Sequence, residues 1–382
     1  MELVWADEKF VISGMPYQGF PILLWDSMES CVPVNRFFRH YLVRGSIRSK
    51  KSWPSTGRAL YDFFSFLQSH ELDWLDVDYG EAKSLVASYR GYCLDVCKLA
   101  PSTTRQRLLY ICEFYVFALK QGWVRRLPFE YEERSLKPRK GFLAHVGGAG
   151  RKIPSRDVLP PVHKALPKFL RLVEVKALLA ATDNPHHRMM MRLALHTGLR
   201  REEIATFPLA CVFHPDKAGR SERNIRVRLD PFDGNGMRTK GSKVRFIFIS
   251  RSFMAELHRY VSTARGERSS LSKHPHKQLF LNQSGEPFSE DGKSICRIIS
   301  RIGKRIGIKV YTHMLRHTYA THMLVTLQRN RDSGVEPLVY LQRQLGHSSI
   351  VTTMVYLHLI NEAVDQAVLA YDDELNEIVE VG

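Results

Sequence analysis

The sequence predicts a mainly α-helical protein with a small antiparallel β-sheet, divided into two domains. Three observations lead there. Apolar residues recur at helical spacing through most of the chain, as Leu60, Phe63, Phe64 and Leu67 do on one face. Two segments alternate at the strand period instead: Ile225, Val227 and Leu229, then Val244, Phe246 and Phe248 after a tight turn at Gly241-Ser242. Between two helical stretches, residues 134–168 hold Pro138, Pro154, Pro160, Pro161, Pro167 and the run Gly147-Gly148-Ala149-Gly150, the composition of a linker. A chain of 382 residues that is 44% hydrophobic carries enough apolar material for two cores of ordinary size.

Taken in order, residues 1–33 form an acidic N-terminal extension that sums to −4, suited to packing or protein contact. Residues 34–133 read as an all-α domain. Its helices lie near Arg36–Val43, at Leu60–Leu67, near Glu81–Cys97, and after the Pro101-Ser102 start, where Leu108, Cys112, Tyr115 and Leu119 share a face. Arg58, Arg105 and Arg107 stand near helix beginnings, where a basic side chain meets phosphate or simply faces solvent. The linker 134–168 carries nine basic residues and one acid, Asp157, so it can lie along DNA. Its glycines fit neither a Walker nor a dinucleotide fingerprint. Helices follow at Leu172–Ala181, Pro185–Thr197, 293–308, 313–327, 337–345 and 349–358. Residues 360–382 close the chain with seven acidic and no basic side chains, and Ala363, Val364, Ala367, Leu369 and Ile378 mark a mainly apolar stripe along them.

Charge narrows the function. The chain carries +17, and because both ends are acidic the body between residues 34 and 359 carries +28. Such a body concentrates a polyanion, nucleic acid or an anionic membrane face. No run of about 18 uncharged apolar residues is present, and the start MELVWADEKF lacks a signal-peptide pattern, so a soluble, intracellular protein is expected. Cys31, Cys93, Cys97, Cys112, Cys211 and Cys296 include no CxxC pair, and they read as reduced thiols rather than a disulfide or zinc framework.

The chemistry sits in four short motifs: Thr197-Gly198-Leu199-Arg200-Arg201-Glu202-Glu203, Thr239-Lys240-Gly241-Ser242-Lys243-Val244-Arg245, His313-Met314-Leu315-Arg316-His317, and Leu345-Gly346-His347 with Tyr356 nine residues on. Singly, each has an ordinary reading. Tyr356 between Val355 and Leu357 suits a core, Arg200 suits a helix cap, and Lys240 and Lys243 suit a solvated turn. His313 and His317 have metal-ligand spacing, but no HExxH glutamate accompanies them. Together, in this order and spacing, they resemble the tyrosine recombinases of the phage integrase family over about residues 165–360.

That resemblance implies a two-domain C-shaped clamp, with a core DNA-binding domain at 34–133, a mixed α/β catalytic domain at 169–359, and a protomer-contact segment at 360–382. It implies a metal-independent, cofactor-free strand transferase working through a 3'-phosphotyrosyl intermediate. Arg200 and Arg316 would clamp the phosphate, His347 would add a donor, Tyr356 would attack, His313 would take its proton, and Lys240 would supply one to the departing 5'-oxygen. Glu203 would orient a neighbour, while Arg58, Arg105, Arg107, Lys243 and Arg245 are the remaining candidates for DNA contact. The implied partners are double-stranded recombination sites, further protomers as a dimer on one site and a tetramer in synapsis, and accessory proteins, at the bacterial nucleoid in the cytoplasm. Integration, excision or transposition of a mobile element are the roles that suit it. A type IB topoisomerase-like relaxation and a non-catalytic DNA-binding regulator stay open as alternatives.

Overall fold

Strand β1 (Glu2–Trp5) is followed by the short antiparallel pair β2 (Val11–Ile12) and β3 (Met15–Pro16), then by β4 (Pro21–Leu24). β4 returns antiparallel to β1, with Glu2 opposite Leu24 and Trp5 opposite Pro21. In the computed structural model, which describes residues 1–44, 50–78, 84–135, 152–161, 166–329, 336–357 and 359, these strands belong to the first of two compact units, Met1–Lys164. The division expected at residue 33 therefore falls inside one unit. Phe20, Leu23 and Cys31 are buried in the same core as the helices.

Helices α1 (Val32–Phe38), α2 (Trp53–Ser69), α3 (Leu85–Gly91) and α4 (Pro101–Lys120) follow in that unit. Their lengths follow from local signals, with proline in the first turn of α1, α2 and α4 and the Ser84 hydroxyl capping α3 through the Ala87 amide. The predicted face Leu60, Phe63, Phe64, Leu67 is buried throughout. Phe64 meets Phe114 edge-on at 5.4 Å, which ties α2 to α4. On α4, Leu108, Cys112 and Tyr115 are buried as expected but Leu119 is 37% exposed. At the end of α4 the inward position is taken by Ala118 instead. Gly57 on α2 lets the hairpin approach, since a Cβ there would lie 2.8 Å from that of Pro21.

The expected linker is only partly one. β5 (Tyr131–Ser135) pairs antiparallel with β6 (Lys152–Arg156), and Val158 and Leu159 are buried in the first unit. Arg156 holds this sheet to α4 by bonding Glu113 (2.5 Å) and lying over the rings of Phe129 and Tyr131. Proline at 154 is tolerated because, among the described residues, the sheet has only these two strands and each keeps an open edge. Residues 136–151 and 162–165 of the linker lie outside the described residues, as does the acidic segment 360–382.

The second unit, Ala165–Gly382, is helical over its described residues, around one strand pair. It contains α5 (Leu172–Ala180), α6 (Pro185–Thr197), α7 (Arg201–Ala205), β7 (Asn224–Leu229), β8 (Arg245–Ser250), α8 (Arg251–Tyr260), α9 (Gly266–Ser269), α10 (Lys293–Arg305), α11 (Thr312–Arg329), α12 (Pro337–Leu345) and α13 (Ile350–Thr353). Met190, Leu193, Ile204, Ile247, Phe253 and Leu315 bring α6, α7, β8, α8 and α11 into one core. β7 presents Ile225, Val227 and Leu229 inward as predicted, but β8 does the reverse of the expectation. Ile247 and Ile249 are buried, while Phe246 and Phe248 are each 37% exposed. The outer face has its own partners, Arg226 3.7 Å above the Phe246 ring and Tyr340 stacked on Phe248. Helix α8, absent from the sequence reading, starts where the Ser250 hydroxyl accepts the Phe253 amide. No helix among the described residues is long and apolar enough to cross a membrane.

Candidate active site

The site begins at the corner between α6 and α7. Gly198 ends α6 with φ +65°, a conformation that side chains other than hydrogen rarely adopt, and a Cβ there would lie 2.6 Å from the Tyr319 ring. Its carbonyl is thereby turned toward α11, where it accepts Arg316 Nη1 at 2.6 Å. Two residues on, Arg200 caps α7. Glu203, one turn later, accepts the Arg200 amide at 2.8 Å and its Nη1 at 3.2 Å. The same carboxylate takes Arg245 Nη2 at 2.7 Å and Nε at 3.3 Å. Burial alone would raise the Glu203 pKa, but Arg245 and Arg200 outweigh it and hold the carboxyl below its ordinary value. Glu203 thus orients two arginines and stays ionised.

Arg245 is therefore not the exposed DNA contact expected from sequence. Its side chain is 10% exposed, and it also donates to the Gln344 carbonyl at the end of α12. The long guanidinium crosses Gly346, where a Cβ would meet its Cδ at 2.6 Å, which explains the glycine of the Leu345-Gly346-His347 motif. Arg200 Nη2 reaches the Gly346 carbonyl at 3.4 Å.

Arg316 is 1% exposed. Its Nη2 donates to the Leu345 carbonyl (2.7 Å) and to His347 Nε2 (3.0 Å), beside the Gly198 carbonyl held by Nη1. Burial and the Arg200 charge press its pKa down, though a guanidinium keeps its proton at neutral pH. Because a guanidinium can only donate, His347 Nε2 must be an acceptor. Its Nδ1 then carries the proton and donates to Thr353 Oγ1 at 2.9 Å. Burial, Arg316 and Arg200 push the His347 pKa down to about 3, in keeping with this neutral form. His347 is thus arranged as an acceptor for Arg316, whereas the sequence reading had it as a third donor.

Tyr356 is 2% exposed, packed among Tyr319, Leu341 and Leu345. Its ring lies parallel to that of His347, with centres 6.4 Å apart. The phenol oxygen is 2.9 Å from His317 Nδ1. So the histidine that touches the phenol is His317, one helical turn past His313, the residue that the family resemblance implies for the proton. The signal was present as the last residue of the His313–His317 motif, but the two histidines share a face of α11 and only packing tells them apart. Burial raises the Tyr356 pKa, and Arg316 and Arg200 only partly offset it. His313 sits at the solvent edge, its pKa lowered by partial burial and by the charges of Arg316, Arg200 and Lys240.

Lys240 occupies an exposed turn closed by Ser242 N donating to the Thr239 carbonyl (3.1 Å), with Gly241 at φ +72° and Lys243 exposed beside it. Of the candidates in the first unit, Arg58 is exposed, while the other two are engaged internally. Arg105 donates to the Pro160 carbonyl (3.0 Å), and Arg107 pairs with Asp62 beside Tyr89. Among the described residues, no group of three His, Cys, Asp or Glu could hold a metal ion.

Comparison with known proteins agrees with this geometry. Residues 168–362, just over half the chain, match the model of the phage integrase family. Tyrosine recombinase XerA of Pyrococcus horikoshii is 28% identical over 216 residues, which span 55% of this chain and 65% of the relative, just under two thirds. Tyrosine recombinase XerC of Bacillus subtilis is 24% identical over 280 residues, 72% of this chain and 75% of the relative. In fold, the chain resembles the XerH site-specific recombinase bound to palindromic difH substrate, with TM-score 0.56, 15% identity, and 85% and 81% of the two chains covered. It also resembles the Tn1549 transposon integrase in complex with a circular intermediate DNA, with TM-score 0.55, 18% identity, and 85% and 94% covered. With its motifs gathered in one site and its second unit matched almost end to end over the described residues, the chain belongs to the phage integrase family.

Proposed function

We propose that this protein is a site-specific recombinase that cuts and rejoins DNA strands through a 3'-phosphotyrosyl bond to Tyr356. The observation that carries the reading is the gathering of Arg200, Arg316 and His347 around a tyrosine that has no reason of its own to sit beside two guanidiniums. A phosphodiester approaching a five-coordinate state gains negative charge on its non-bridging oxygens, and fixed guanidiniums stabilise that charge without reorganising. Arg200 and Arg316 fill this role, with Glu203 and Arg245 setting their positions and His347 steadying Arg316. Lys240, exposed in its turn, protonates the leaving 5'-oxygen. The phosphotyrosyl bond keeps the energy of the broken strand, so rejoining needs no nucleotide. Two relatives in complex with DNA, the XerH and Tn1549 proteins, support duplex sites as the substrate.

Pairing of sites calls for more than one protomer, a dimer on each site and a tetramer in synapsis. The segment 360–382 is our candidate for the contact between them, because an apolar stripe on a strongly acidic segment suits the basic body of a neighbour. Relaxation without site choice, as by a type IB topoisomerase, would use the same residues, and a plasmid carrying two copies of the protein's selected site separates the two readings. The expected result is deletion or inversion of the segment between the sites. Relaxed plasmid with no rearranged product would favour the topoisomerase.

A further inference from the structure

We propose that His317 is the catalytic base of the reaction, taking the Tyr356 phenol proton as that oxygen attacks phosphorus. This rests on the recombinase reading and adds a residue to it. In the step, the Tyr356 Oη–P bond forms and the P–O5' bond breaks. The phenol proton passes to His317 Nδ1, and the 5'-oxygen takes its proton from Lys240.

Three observations single out His317. First, its Nδ1 lies 2.9 Å from the phenol oxygen, and that phenol has no other hydrogen-bond partner among the described residues. A phenol that is 2% exposed must place its proton somewhere, and the arrangement that satisfies it has Tyr356 donating to an unprotonated Nδ1. Second, His347 is already committed. Its Nε2 accepts from Arg316 and its Nδ1 donates to Thr353, so it has no site left for a proton although its ring lies alongside the tyrosine. Third, His313 is the wrong distance along α11 to touch the phenol but the right one to touch His317, whose ring centre lies 4.5 Å from its own. Burial and the charges of His313 and Arg316 keep His317 unprotonated, with its pKa pushed down to about 4, so it is ready to accept at neutral pH. It is then a weak base. It serves because the proton moves as the phenolate charge passes into the new bond, and the flanking arginines stabilise that charge.

The test is single-turnover formation of the covalent complex on a nicked duplex carrying the protein's selected site, followed across pH. Two variants separate base from prop. His317→Asn keeps an oxygen near the Nδ1 position that can accept the phenol hydrogen bond but cannot take the proton, whereas His317→Ala removes both. With His317 as base, both variants lose about 100-fold in rate near neutral pH. Both also acquire a rate that climbs about tenfold per pH unit, because hydroxide must then ionise the phenol. If His317→Asn reacts within about threefold of the wild type and keeps its pH profile, or if His313→Asn alone acquires the climbing profile, the proposal is overturned. Loss of the complex in Tyr356→Phe tests the recombinase reading separately. Should that variant still form it, the recombinase reading fails whatever His317 does.

Discussion

Lys240 and Arg245 stand five residues apart in one basic run, and the structure gives them opposite lives. Lys240 is exposed in a turn with no side-chain hydrogen bond or ion pair among the described residues, whereas Arg245 is clamped between the Glu203 carboxylate and the Gln344 carbonyl. Without Arg245 the buried Glu203 carboxylate keeps only Arg200 as its counter-charge, and breaking one side of a buried ion pair costs about 3 kcal/mol. Arg245→Ala should therefore lower the unfolding free energy by roughly that amount and slow cleavage through the arginines it positions. Lys240→Ala should leave stability within about 0.5 kcal/mol of the wild type and still slow cleavage at least about 100-fold. Denaturant unfolding beside single-turnover cleavage checks both. Equal stability losses in the two variants would remove the distinction, and failure of a 5'-bridging sulfur substrate, whose leaving group needs no proton, to rescue Lys240→Ala would take the acid role from Lys240 and pass it to Lys243. At this scale the sequence names the candidate residues, since the motif spacing marks Arg200, Lys240, Arg316, His347 and Tyr356 without any coordinates. It did not show who bonds whom. Nothing in the spacing tells that Arg245 turns inward, that His347 accepts rather than donates, or that His317 takes precedence over His313 at the phenol.

Among the elements, strand β8 shows why the rest was hidden. Phe246, Ile247, Phe248 and Ile249 are all apolar, so alternation cannot choose the inner face. The choice is made by Arg226 on β7 and Tyr340 on α12, which cover the phenylalanines from outside. The N-terminal hairpin escaped for a similar reason. Its strands are four residues long, and what fixes β4 is α2 with its open Gly57. Helices with capping signals and long apolar faces, such as Pro185–Thr197 and Pro337–Leu345, were read to the residue. Helix α10 divides cleanly, with Ile295, Ile299 and Ile302 inside and Lys293, Arg297, Arg301 and Lys304 outside, a face suited to a phosphate backbone. At the start of α6, His186 is buried with Nδ1 2.9 Å from the Tyr260 hydroxyl. Burial, then the charges of Arg268 and His187, push its pKa down to about 4. Since an unfolded histidine titrates near about 6.5, the unfolded chain gains protons below that pH that the folded chain refuses. Stability is full above about pH 6.5 and falls as pH drops toward 4, with His317 and His347 acting in the same sense. Thermal midpoints measured between about pH 5 and 8 should decline on the acidic side, and less steeply in His186→Gln. A midpoint that is flat in both proteins would show that these histidines are not held neutral.

For the whole molecule, charge and division of labour agree. A basic body between acidic ends, with a first unit built on aromatic packing and a second that carries the entire motif set, is what a protein needs if one part is to hold a polyanion while another reacts with it. Tyr356 is almost fully covered by its own unit, so the side chains packed over it must part before a phosphate reaches its oxygen beside His317. The most direct measurement of the central claim is mass spectrometry of the covalent complex. A nicked duplex carrying a site selected on the purified full chain is incubated with the protein in excess EDTA, denatured and digested. The expected result is a peptide bearing a 3'-phosphodeoxynucleotide on Tyr356, with no adduct from Tyr356→Phe. An adduct on another residue, one that persists in Tyr356→Phe, or one that forms only when a metal ion is restored would contradict it.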